Sequence, residues 1–185
     1  MPLLVKGVQA EPPKDPIYVK TYNGWNAAYA NGNEYAEFRV TGNGARLQDA
    51  YHILLQNDVG MMVSFVDKKD LQNDTDLLSA HAQWEIDYWH QRASKIESNT
   101  REDLTGTRKD VKVTEMKVYN DESAQMSSYL IGLAAKDGVF VLSVSPAKKD
   151  ADPSVKELVS SFKLVPRNLD AEETKRLVSE AKAQR

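Results

Sequence analysis

Short apolar, β-rich runs bounded by turn residues recur between 17 and 69 and again between 111 and 145, and in 35–40 apolar and polar residues alternate with a period of two. That period places successive side chains on opposite faces of an extended chain, so it predicts half-buried strands. The first is IYVKTY (17–22), followed by the turn residues Asn23-Gly24 and then Trp25. In YAEFRV (35–40), Tyr35, Glu37 and Arg39 alternate with Ala36, Phe38 and Val40, up to the turn signal GNG at 42–44. AYHILLQ (50–56) and MMVSFVDKK (61–69) flank NDVG (57–60), which reads as a hairpin. Within its first arm His52 shares a face with Leu54 and Gln56, while Tyr51, Ile53 and Leu55 take the other. VKVTEMKVYN (111–120), MSSYLIGLAAK (126–136) and VFVLSVS (139–145) are three further strands, the last two joined at Lys136-Asp137-Gly138.

Two segments break this rhythm. From Leu77 to about Ile96 the apolar positions follow a helical period, with Asn73, Asp74 and Thr75 as possible N-caps and Asp74 and Asp76 suited to the positive helix end. A polar loop, SNTREDLTGTRKD (98–110), follows it. ADPSVKELVSSF (151–162) is a second helix, with Asp152 placed to cap it and Pro153 at the first helical position. FKLVP (162–166) closes the pattern as a short strand stopped by proline. Residues 1–16 carry four prolines and read as a flexible tail; 169–185 is a helix-prone extension with Glu172 and Arg176 spaced i,i+4. The predicted organisation is a tail (1–16), one α+β domain (17–166) built as an antiparallel β-sheet flanked by helices, and a C-terminal helical extension (167–185).

The N-terminal meander, the aromatic-rich helix, the hairpin MSSYLIGLAAKDGVFVLSV and the helix running into SSFKLV (160–165) together resemble the PsbP-like family. The resemblance spans about residues 17–166 and implies an α/β/α sandwich. It also implies kinship with extrinsic photosystem proteins and small bacterial exported proteins of unknown role. Its most telling part, the closing helix followed by Ser-Phe-Lys-Leu, is a structural signature. It carries no catalytic residue across and assigns neither a photosynthetic role nor a GTPase partner.

Composition narrows the chemistry. A net charge of −3 gives no general attraction for nucleic acid or anionic membrane. The absence of cysteine rules out disulfides, thiolate catalysis and cysteine-ligated metals. No apolar run reaches the roughly 20 residues that span a bilayer. GNG at 42–44 has Leu47 where a dinucleotide loop has its third glycine, so it is a turn. There is no GxxxxGK[ST] and no GxSxG, and NDTD (73–76) lacks the glycine and distal Glu of a calcium loop. No catalytic residue, metal site or cofactor is predicted.

Only AHAQWEIDYWHQRA (80–93) is dense in reactive side chains. On a helical wheel His81 and His90 fall about 180° apart, so they cannot share a metal. Leu77, Trp84 and Tyr88 form one apolar strip, and Leu78, Ala82, Ile86, Trp89, Ala93 and Ile96 form another. His81, Glu85 and Arg92 run between them as a polar seam, at about 40–80° from Leu77. His81–Glu85 and Tyr88–Arg92 are i,i+4 pairs, and Glu85 is two turns from Arg92. One reading of the seam is architecture, a charged set that pairs internally beside buried aromatics. The other is a small pocket in which His81, Glu85 and Arg92 meet a polar ligand and Trp84 and Tyr88 form the wall.

The leading functional expectation is therefore a non-enzymatic binding or accessory domain acting on a protein partner. The alternative is a small-ligand receptor or enzyme using the His81/Glu85/Arg92 seam. A homo-oligomer held by the 169–185 helix is a third possibility. Val8 and Ala10 stand like the −3 and −1 residues of a signal-peptidase site, but the apolar stretch before them, Leu3–Val5, is shorter than a usual signal core, so a flexible tail is the first reading and a truncated export signal the rival. The family resemblance tilts the expected location outside the cytoplasm, with the cytoplasm as the alternative.

Overall fold

The computed structural model describes residues 15–31, 34–42, 44–72, 74–121 and 123–165. The expected N-terminal tail lies almost wholly outside these residues, and the helical extension at 169–185 lies entirely outside them. The architecture is α+β with antiparallel sheets, as the alternation predicts, but the strands divide into two sheets rather than one. The smaller contains β1 (Ile17–Thr21), β2 (Gly24–Asn31), β3 (Glu34–Thr41) and β11 (Lys163–Val165), in the order β1-β2-β3-β11. The larger contains β4 (Arg46–Leu47), β5 (His52–Leu54), β6 (Gly60–Asp67), β7 (Lys95–Thr100), β8 (Val111–Asn120), β9 (Ser123–Ala134) and β10 (Gly138–Ser145). Its order is β4-β5-β6-β10-β9-β8-β7. Among the described residues there are three α-helices: α1 (Leu77–His90), α2 (Glu102–Thr105) and α3 (Asp152–Ser161). No helix among the described residues is long and apolar enough to cross a membrane.

Strand alternation decides which face of the large sheet is dry. Val111 and Val113, Tyr129, Ile131 and Leu133, and Phe140, Leu142 and Val144 point one way and are buried. They share one core with Phe38 and Val40 of the small sheet and with Val155, Leu158, Val159 and Phe162 at α3. Phe162 meets Phe38 edge-on at 5.9 Å, a favoured aromatic geometry. The small sheet and α3 thus cover this inner face, and α1 lies against the outer one. Glu34 fastens the two sheets at one end, its carboxylate accepting from the backbone N–H groups of Lys136 and Asp137 in the β9–β10 turn.

Three elements differ from the sequence expectation. β2 is a full strand where only a turn and Trp25 were expected, because GWNAAYAN is rich in Asn and Ala, which have low strand preference. What holds it is pairing on both sides, with β1 and β3. Gly24 begins it at φ 134°, and a Cβ there would run into the Val40 carbonyl, so this corner requires glycine. Second, α1 ends at His90 instead of near Ile96. Residues 95–100 pair instead with β8, Ile96 opposite Val118, so sheet formation overrides local helical preference. The expected polar loop 98–110 accordingly contains the end of β7 and the short α2. Third, the N-caps move. Asp76 caps α1 by accepting from the Ser79 N–H at 3.1 Å, which holds its carboxyl below the usual range. Asp152 is the first residue of α3, not its cap.

Candidate functional site

α1 is anchored to the outer face at both ends by apolar contacts. At its start Leu77, Leu78 and Ala80 pack on a cluster of Leu71, Val139 and Val141. At and beyond its end, Trp89, Ala93 and Ile96 pack on Met116, Val118 and Leu130. Gly132 sits beneath the helix; a Cβ there would come to 3.2 Å from Val139 Cγ1 and 3.3 Å from Leu78 Cδ2. The missing side chain lets α1 lie close to the sheet.

Between the two anchors lie the first two members of the predicted seam. His81 is 3% exposed, and its Nε2 is buried without a hydrogen-bond partner among the described residues, 3.6 Å from Glu85 Oε1. An unsatisfied buried nitrogen is costly, and the neighbouring carboxylate offsets part of that cost electrostatically. Arg92 does not join them. Because α1 has already ended, the wheel no longer applies to it, and its side chain turns back over the Tyr88 ring, 4.0 Å from the centroid. Its Nη1 donates to the Tyr88 carbonyl at 2.9 Å. His90 is exposed, on the opposite side from His81, as the wheel predicts.

Trp84 and Tyr88, the expected pocket wall, face outward at 37% and 41% exposure. They form an ordered pile: Trp84 stacks on Tyr88 at 6.1 Å and 22°, and on the buried His81 ring at 6.4 Å. Arg92 completes it over Tyr88. The five predicted residues therefore separate into a buried pair, His81–Glu85, and an exposed stack, Trp84–Tyr88–Arg92.

A cavity beside α1 lies away from this stack. It measures about 320 Å³ and lies along the helix edge that carries Glu85 and Trp89. Its floor is the outer face of β5, β6, β10, β9 and β8. His52, Met62 and Ser143 stand in one cross-strand row, and Ser128 and Met116 face each other in the next. Met126 and Leu130 close it toward the Trp89 end. His52 Nδ1 is held by the Asp49 carboxylate at 2.8 Å.

A second polar cluster lies at the edge of the dry core, among residues that no local pattern marks. Arg101 reaches Asp103 and Glu115 at 2.8 Å and Asp152 and the Tyr129 hydroxyl at 3.1 Å. Tyr129 donates in turn to Asp152 at 2.7 Å. Burial, and then the Asp152 carboxylate, push the Tyr129 hydroxyl up to about 12, while Arg101 holds the Asp103 carboxyl below its usual range. Arg108 caps the far end of α3 by donating to the carbonyls of Val159, at 2.6 Å, and Phe162. These arginines join α2, β8, β9 and α3, and their hydrogen bonds are used within the fold.

No protein-family model matches this chain, and no curated protein matches it. The functional reading rests on the geometry of α1 and the face it covers.

Proposed function

We propose that this chain is a PsbP-like, non-enzymatic binding or accessory domain that acts through protein contact, with the exposed Trp84–Tyr88–Arg92 stack of α1 as its contact surface. One observation carries the reading: two large aromatics and an arginine stand on the surface already stacked on one another. Trp, Tyr and Arg dominate the energetics of protein interfaces. Side chains ordered before binding lose less entropy on association. His81, at the foot of the stack, then has a positioning role, since its buried ring supports Trp84.

The test is retention of a partner by the immobilised chain. Wild type and a control altered on the small sheet, Lys163→Ala, should retain the same protein, and Trp84→Ala/Tyr88→Ala should lose it while its unfolding transition stays in place. Equal retention by all three, or retention by none, contradicts the reading.

A further inference from the structure

The cavity beside α1 has a composition that the contact surface does not use. Four of the five methionines in the chain line it: Met62, Met116 and Met126 from three different strands, together with Leu130 and Trp89, and also Met61, whose side chain belongs to the inner core. Methionine is unbranched and polarizable, so a pocket it lines adapts to apolar guests of differing shape. At about 320 Å³ the space stands at the small end of ligand pockets, which run from roughly 300 to 1,000 Å³. It suits a single ring or a short chain.

Charge then selects among such guests. Glu85 is the one carboxylate among the described residues that line the cavity, and no Lys or Arg lines it there. Its side chain is 19% exposed, and its ion-pair neighbour among the described residues is the His81 ring at 3.6 Å. A carboxylate withdrawn this far from water is stabilised by a cation and repels an anion. Trp89 lines the same part of the cavity as Glu85 and offers an aromatic face, the other group that attracts an ammonium. From these observations we infer that the cavity between α1 and the outer face of the large sheet binds a small amphipathic amine. Its apolar body lies among Met62, Met116, Met126 and Leu130, and its ammonium meets Glu85.

The methionine methyl groups report on this directly. The full chain, labelled with ¹³C at the methionine methyls, is titrated with phenethylamine, with the neutral 2-phenylethanol and with the anionic 3-phenylpropanoate. Single Met→Leu variants assign the resonances. Saturable shifts of Met62, Met116 and Met126 are expected, with the amine bound at least tenfold more tightly than the alcohol and the carboxylate weakest. Glu85→Gln should erase the tenfold preference while the alcohol still shifts the same three methyls. Ser143→Phe, which fills the floor of the cavity from a different element, should remove the response to all three compounds and guards against a folding defect in the Glu85 variant. Absence of saturable shifts, equal affinity for amine and alcohol in the wild type, or an undiminished preference in Glu85→Gln overturns the inference.

Discussion

The two faces of the large sheet are built from the same strands and are used differently. Ile131, Leu133, Leu142 and Val144 on the inner face are completely buried beneath a second sheet and α3. Among the described residues the outer face is covered by one fourteen-residue helix, held by two small apolar clusters at its ends. Between and beside those clusters lie an unsatisfied histidine nitrogen, a withdrawn carboxylate and a methionine-lined cavity. A closed, fully apolar face maximises stability and leaves nothing for a ligand. A face covered at two points forgoes some burial and keeps polar groups and open volume available. The inner side carries most of the buried apolar area, the outer side is the proposed working surface, and substitutions can separate the two.

The largest effect belongs to the inner core. Leu142→Ala should destabilise the protein by about 2–5 kcal/mol, as a cavity in a packed interior does. Met62→Ala, on the opposite face and 40% exposed, should change stability by less than about 1 kcal/mol. Denaturant unfolding of the two variants measures the contrast directly, and equal losses would remove the distinction between the faces.

Next in size is the Arg101 cluster. Arg101→Met leaves Asp152 withdrawn from water without its cation and Glu115 with only the longer pair to Lys117, and should cost about 2–3 kcal/mol. The same cluster makes stability depend on alkaline pH. Tyr129 holds its proton more tightly folded than unfolded, so its contribution is intact below pH 10 and is lost as the pH rises toward about 12. Tyr129→Phe should make that decline shallower, leaving the part due to the raised Tyr18 and Tyr51 hydroxyls, at the cost of the hydrogen bond to Asp152, about 1 kcal/mol at neutral pH. Melting temperatures of both proteins across pH 8–12 check the sign. A decline of the same steepness in Tyr129→Phe would place its source elsewhere.

Smaller still is His81→Leu. Because the buried Nε2 has no partner, an apolar side chain of similar bulk should leave stability unchanged or slightly raised. A loss above about 2 kcal/mol in equilibrium unfolding would show instead that the His81–Glu85 contact holds α1 in place.

These predictions also mark how far the sequence could be read. β8, β9 and β10 are legible because they are runs rich in Val, Ile, Leu and Phe, and a Lys-Asp-Gly turn joins the last two. β2 is not, since its Asn and Ala residues gain their strand state from neighbours on both sides. The His81–Glu85 pair follows from i,i+4 spacing, whereas Arg92 is misplaced because no residue in QRASK announces that the helix stops. Arg101, Glu115, Tyr129 and Asp152 meet only through tertiary folding, and no local period connects them. The methionine cavity is intermediate. Strand parity puts Met62 on the face of His52 and Met116 on the face of Ser128, but only the strand order shows that these faces adjoin.

The central claim is that the α1 surface works without holding the fold together, and Trp84→Ala/Tyr88→Ala tests it most directly. Thermal unfolding and partner retention are measured on the same preparation. The account predicts a melting temperature within about 4 °C of wild type, as expected for a change near 1 kcal/mol in a chain of this size, together with loss of the retained partner. Unfolding of the double variant, or full retention by it, would contradict the account.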